Sequence, residues 1–337
     1  MRTSLKYIAE QLKISKTTVS WVLSGKGNEK GISIATQEKV LRYAKSLNYQ
    51  PNLLARSLNT GVSGTIGLII PDISDLFYSQ VAREIECEAE KLGYSLMICS
   101  SESKIERENK MIRLFKAKQV DGIILAPTKH SKSEIEQLQQ DAFPFVLFDR
   151  YFPEMQTNYL IIDNESSSYQ LTKHLISQGR KKIVILTTNS HLTTMNLRTQ
   201  GYKRAIEEAG LEWEPGLYGY VDFIDYENNI IQTLDTIFEK VKDVDAFFFA
   251  THILALEAFC YFANKHIDIN KYFGLACMHE VSTFKVLAPK MNIARMPIEE
   301  IGQHAVRILH ENIMSKQHKS SYDVYSEKLS CTLKLYE

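Results

Sequence analysis

Two groups of residues in this 337-residue chain have types and spacings that do chemistry. In KTTVSWVLSGKG (16–27), Val19, Val22 and Leu23 fall at i, i+3 and i+4, so a short helix buries one face and leaves Lys16, Thr17, Ser20 and Trp21 outward. Small hydroxyls and a cation on an exposed helix face suit the base edges of a DNA major groove. The second group sits where apolar runs end. Asp75, Phe77 and Tyr78 follow GLIIPDIS, Asp149 and Arg150 follow VLF, Asn164 follows LIID, Arg198 stands before TQGY, and Phe223 follows YGYVD. A flat aromatic with a nearby arginine and carboxylates is how proteins hold a sugar: the ring takes the apolar CH face and planar polar groups bond the hydroxyls. Two plainer readings stay open, a salt bridge for Asp149 and Arg150 and a core-capping pair for Phe77 and Tyr78.

No catalytic set accompanies them. The glycine-rich GVSGTIG (61–67) precedes an apolar run, whereas a phosphate-cradling loop follows a strand, and neither HExxH nor a Walker motif occurs. The reading is therefore not an enzyme, with no cofactor.

The first group needs a small helical domain to carry it. TSLKYIAEQLK places Leu5, Ile8, Ala9 and Leu12 on one stripe, with Thr3 or Ser4 as N-cap and a break near Ile14-Ser15. Two helices so closely joined, the second bearing outward polar residues, describe a helix-turn-helix, which puts Lys16 and Thr17 at the bases. A third helix starts at Ser33 and is expected to bury Val40, Leu41, Ala44 and Leu47. Between them GKGNEKGI reads as a flexible loop near phosphates.

The second group needs strands. From Thr65 on, apolar runs alternate with helical patterns: TIGLIIP, SQVAREIECEAEKLGY, SLMICS, ERENKMIRLFKAKQ and VDGIILAP, then KKIVILTT, RTQGYKRAIEEAGL, YGYVDF, DAFFFATH and YFGLACMH. That rhythm is βαβ, and its two sets give two doubly wound α/β lobes.

Charge separates the two regions. Residues 1–60 hold ten Lys or Arg against three Glu, although the whole chain has 40 of each sign. A basic head on an acidic body suits a polyanion partner, since Lys and Arg at phosphates release condensed counterions. The five cysteines form no CxxC pair and read as small core residues in a reducing compartment. No 18-residue apolar run occurs, so the expectation is a cytoplasmic protein without a membrane partner.

The head KYIAEQLKISKTTVSWVLSGKG, the run ATQEKVLRYAKSLNYQPN and the body motifs TIGLIIPDISDLFYSQVAREIE, VDGIILAP, VLFDR, IIDNE, RTQGYKRAIEEAGL and MPIEEIGQHAV stand in the order and spacing of the LacI/GalR (lactose-repressor) family, which the chain closely resembles over nearly its whole length. The resemblance implies a helix-turn-helix domain over 1–50, a hinge helix over 51–61 and a periplasmic-binding-protein-like body over 62–337. Its N-lobe is expected at about 62–164 and 293–322 and its C-lobe at about 165–290 and 326–337, with crossings near 163–166, 290–293 and 322–326. It implies DNA contacts from Ser4, Leu5, Ser15, Lys16, Thr17, Thr18, Ser20, Trp21, Tyr49, Asn52, Ala55 and Leu58. Leu58 would be an apolar wedge in the minor groove, on a hinge helix too short to be stable until DNA orders it; packing of Leu53, Leu54 and Leu58 against the body is the plainer alternative. The implied partners are a pseudo-palindromic double-stranded operator, a second copy of the chain, and a sugar or sugar acid held between the lobes by Asp75, Phe77, Tyr78, Asp149, Arg150, Arg198, Phe223, His252 and His279. Closure on this effector would alter hinge-helix spacing. The C-terminal KLSCTLKLYE reads as a strand without leucine heptads, so a homodimer is expected rather than a tetramer.

Four residues depart from the family pattern. Trp21 stands where Arg is common, leaving either an apolar contact to a thymine methyl or a core role. Thr251 and His252 stand where an Asn-Asp pair is usual, and His279 where Asp is usual. Two imidazoles in place of acceptors admit either an anionic sugar beside Arg198 or a neutral saccharide with ordinary histidine hydrogen bonds. Zinc at His252, His279 and Cys277 lacks the paired spacing of a metal site. The competing functional reading is a regulator with a vestigial pocket, effector-independent or controlled by a protein partner.

Overall fold

The computed structural model describes residues 4–49, 61–188, 193–222, 225–318 and 324–337, which fall into two compact units divided after Ser63. Asn52, Ala55, Leu58 and Phe223 lie outside the described residues.

In the head, α1 (Leu5–Leu12), α2 (Lys16–Leu23) and α3 (Ile34–Ser46) each start on a serine whose hydroxyl accepts a first-turn N–H: Ser4 from Tyr7, Ser15 from Thr18 and Ser33 from Thr36. Lys13 takes the left-handed conformation that ends α1 and makes the tight turn (φ 53°). Ile8, Val19 and Val40 are fully buried, with Ala9, Leu12, Val22 and Ala44 around them. Leu41 is a correction: it is half exposed, because it lies about 100° around the helix from Val40 and the inward stripe runs through Val40 and Ala44 instead. Residues 25–32 are also corrected, from a flexible loop to successive turns. Lys30 N–H donates to Lys26 O and Ile32 N–H to Gly27 O, while the Gln37 amide donates to Asn28 Oδ1 (2.9 Å) and Ile32 O (2.7 Å).

The body holds two six-stranded sheets. β1 (Thr65–Ile70), α4 (Leu76–Lys91), β2 (Ser95–Ser100), α5 (Ile105–Ala117), β3 (Gly122–Leu125), α6 (Lys132–Gln140), β4 (Phe145–Phe148) and β5 (Tyr159–Ile162) build most of the first. After α7 (Asn164–Ser177) the second follows with β6 (Ile183–Thr188), α8 (Thr193–Glu208), β7 (Tyr218–Val221), α9 (Tyr226–Lys240), β8 (Ala246–Phe249), α10 (His252–Asn264), α11 (Ile269–Tyr272), β9 (Gly274–Met278), α12 (Phe284–Leu287) and β10 (Asn292–Arg295). The chain ends with α13 (Ile298–His318), β11 (Ser326–Leu329) and β12 (Thr332–Lys334). The strand orders are β11-β5-β4-β3-β1-β2 and β12-β10-β9-β8-β6-β7, parallel except for the β12–β10 pair. The inner strands are mostly apolar and buried, as coverage of both faces demands, with Thr65 opening β1 and Thr187 and Thr188 closing β6.

Sheet membership moves two expected crossings. β10 pairs with β9, so it stays in the second sheet and the chain crosses after Arg295. β11 pairs with β5, so it belongs to the first sheet and the last crossing follows Leu329. The C-terminal run is thus two short strands on different sheets. Four apolar-polar residues carry too little periodicity to be told from a connector, and pairing with a neighbour decides. Among the cysteines Cys277 is buried, whereas Cys87 and Cys260 are exposed rather than core.

Candidate functional site

On the head, the outward face of α2 carries Lys16, Thr17, Ser20 and Trp21, all exposed. Trp21 is therefore no core filler; the Lys30 ammonium lies 5.6 Å from its ring centroid, within cation–π reach. Ser15 and Thr18 are joined hydroxyl to hydroxyl (2.8 Å) at the start of that helix. Ser4 is exposed at the α1 cap, Leu5 is half-buried, and Tyr49 packs partly against the head core. Lys16, Thr17, Ser20 and Trp21 thus share one surface, while Leu5 and Tyr49 serve the core as well.

In the body, a cleft of about 830 Å³ opens at the carboxyl ends of the inner strands of both sheets. Ligands of doubly wound sheets bind there, where the strand order reverses, beside β1 and β3 in one lobe and β6 and β8 in the other. Asp75, Phe77, Tyr78, Asp149, Arg150, Arg198, His252 and His279 all line it.

Asp75 caps α4, accepting from Phe77 N–H (2.8 Å) and Tyr78 N–H (3.4 Å). Burial nonetheless pushes its pKa up to about 6, outweighing those two bonds. Phe77 and Tyr78 are buried and belong to the core as well as the cleft wall. Tyr78 donates its hydroxyl to Asp149 Oδ2 (2.6 Å), and Arg150 Nε lies 3.5 Å from the same oxygen. Asp149 and Arg150 are therefore a local ion pair that also faces the cleft. Asp149 has φ 61° and His279 φ 80°, left-handed conformations uncommon outside glycine, and both sit directly after strands at the cleft.

Arg198 is buried on α8. Its Nε donates to Asn164 Oδ1 (2.8 Å) and its Nη1 to Ala250 O (2.6 Å), so the guanidinium is fixed from two sides. Burial lowers its pKa and Asp149 opposes that shift; it remains a cation. Thr194 donates to Asp149 O (2.8 Å), a hydrogen bond from one lobe to the other across the cleft.

His252 opens α10 and His279 follows β9, and their Nδ1 atoms lie 3.1 Å apart. Only one of two facing Nδ1 atoms can carry the hydrogen, so the two rings cannot both be protonated. Burial pulls His252 down to about 4 and His279 to about 3, with Arg198 adding to both. The protonated imidazoles that an anionic sugar would use are thereby disfavoured at neutral pH. Among the described residues no three His, Cys, Asp or Glu side chains group as metal ligands.

Sequence reasoning missed Thr188, Thr194, Tyr226 and Glu257 in the lining. Thr188 ends β6, so the strand-end rule applied to that strand would have found it. Tyr226 carries a pKa raised to about 12, chiefly by burial and then by Asp75, and no sequence feature signals that.

Residues 4–52 match the family described as bacterial regulatory proteins, lacI family. Residues 63–217 match periplasmic binding proteins and sugar binding domain of LacI family, and residues 172–329 a periplasmic binding protein-like domain. The ribose operon repressor of Halalkalibacterium halodurans is 31% identical over 317 residues, 93% of this chain and 91% of that protein. Two solved structures share the fold. The lac repressor dimer bound to operator and the anti-inducer ONPF superposes with a TM-score of 0.83 at 19% identity, covering 99% of this chain and 98% of that one. A complex of the transcriptional regulator CelR with cellobiose superposes with a TM-score of 0.72 at 23% identity, covering 99% of each chain. Helix-turn-helix head, two-lobed body and family matches agree, and the chain belongs to the lacI family of bacterial regulatory proteins as a DNA-binding transcription regulator.

Proposed function

We propose that the protein is a homodimeric repressor of carbohydrate-utilisation genes whose hold on a two-fold-related operator is set by a sugar bound between its lobes. The observation that carries this reading is the cleft itself. Phe77 and Tyr78 offer aromatic surface, Arg198 and Arg150 offer fixed donors, and Asp75 and Asp149 offer acceptors, all converging on one cavity. The relative named for a ribose operon and the neighbour solved with cellobiose lend support on the side of a saccharide.

Each head lays α2 in the major groove, Lys16 and Thr17 at base edges, with Ser20 and Trp21 one turn further on. Leu58 of each copy enters the minor groove between half-sites. In the body, closing the lobes around a sugar brings groups of both to it, including Asp75 and Asp149 from one side and Arg198 and His252 from the other. A ligand that prefers the closed form shifts the population toward it, and sugar and operator affinities are then coupled reciprocally.

Substituting Arg198→Ala tests the reading. Operator affinity in the absence of sugar should persist, while the sugar-dependent change in affinity disappears; a thermal melt of the variant checks that the body remains folded. An unchanged sugar response would remove Arg198 from the site.

A further inference from the structure

Trp21 and Lys30 form an arrangement on the head that core packing does not explain. Trp21, the largest side chain of α2, lies one turn along from Thr17 on the outward face, 37% exposed and outside the head core. The ammonium of Lys30 stands over its ring. Among the described residues the ion pairs of the head join Lys6 to Glu10 and Arg42 to Glu38, and Lys30 is in neither.

The segment that carries Lys30 is built rather than loose. Lys26 N–H and the Ser24 hydroxyl both donate to Trp21 O (2.9 and 3.1 Å), and Lys30 N–H donates to Lys26 O (3.1 Å). The Gln37 amide of α3 holds Asn28 and Ile32, one on each side of Lys30. Gly25 and Gly31, at φ 76° and 65°, make the left-handed bends near its two ends. This frame brings residue 30 back to a ring nine residues earlier in the chain. A cation held over one face restricts the ring and leaves its other face and its edge for DNA.

An outward indole offers a base little except apolar surface. Its single donor, Nε1–H, finds an N7 acceptor on every purine, so it separates purine from pyrimidine at most. The apolar group that the major groove displays is the thymine C5-methyl. We propose that Trp21 reads the C5-methyl group of a thymine in each operator half-site and that Lys30 is a positioning residue for that contact. The inference rests on α2 lying in the major groove. Lys30 also brings charge to the phosphates, but a phosphate contact acts on all duplexes alike. Discrimination between duplexes that differ by one methyl therefore isolates its effect on the ring.

The test uses the full chain and an operator duplex recovered by selection from random sequences. Each half-site thymine is replaced in turn by deoxyuridine, which keeps the hydrogen bonds of the base pair and removes the methyl alone. At one thymine position binding should weaken about fourfold per half-site, the worth of one buried methyl. That penalty disappears in Trp21→Ala. In Lys30→Ala it falls to about twofold, since an exposed cation–π contact is worth roughly a factor of two, and Lys30→Arg, which keeps a cation for the ring, restores it. A duplex indifferent to every such replacement, or a penalty that persists in Trp21→Ala, would overturn the thymine contact. A penalty unchanged in Lys30→Ala would overturn the positioning role. Purines replaced by their 7-deaza analogues probe the groove separately. A Trp21-dependent loss with those and none with deoxyuridine would assign the indole to N7 and overturn the methyl contact. Specific binding insensitive to both kinds of replacement would contradict the placement of α2 in the major groove itself.

Discussion

At the scale of single residues, burial governs what the ionisable groups do. Glu108 in the first turn of α5 is fully enclosed; its Oε2 accepts from Thr128 N–H (2.7 Å) and burial pushes its pKa up to about 7. A carboxyl raised from 4.5 in the unfolded chain binds more protons when folded, so stability falls as pH rises from about 4.5 to about 7. Glu108→Gln keeps an acceptor without the charge. It should raise the unfolding free energy at pH 8 by up to about 3 kcal/mol and leave it unchanged at pH 4, measured by denaturant melts at the two pH values. Sequence alone marks Asp75, Asp149 and Arg198 because strand ends locate a cleft. It is silent on Glu108 and on the His252–His279 contact, because both arise from packing between segments far apart in the chain.

At the scale of elements, helices and inner strands were legible because their periodicities of 3.6 and their all-apolar runs are long enough to count. β10, β11 and β12 were not, since three or four residues acquire a sheet only by pairing. The turn over 25–32 was missed for a different reason: Gly-rich composition suggested freedom, but Gln37, nine residues from Asn28, fastens it. Close packing of α7 on α8 depends on Gly201, whose missing Cβ would stand 2.1 Å from Glu165 O and 2.8 Å from Tyr169 N. Backbone cannot rotate aside. Overpacking costs roughly 1–3 kcal/mol, which here outweighs the ~1 kcal/mol that alanine gains over glycine in an open helix. Gly201→Ala is expected to lower the unfolding free energy by about 2 kcal/mol in a urea melt, and a stabilised variant would mean that the helices separate freely.

At the scale of the whole molecule, division of labour follows charge. The head concentrates Lys and Arg with an exposed recognition surface on α2, and the body supplies two sheets whose strand ends form the cleft. Phosphate neutralisation by the head makes affinity fall steeply with salt, whereas base contacts from Lys16, Thr17, Ser20 and Trp21 give sequence preference. The most direct test of sequence-specific regulation is selection of random DNA duplexes by the full chain, followed by titration of the recovered sequence and of a scrambled control. The account predicts a shared site of two inverted half-sites, bound at least ~10³-fold more tightly than the control. Recovery of no common sequence, or equal affinity for the scrambled duplex, would contradict it.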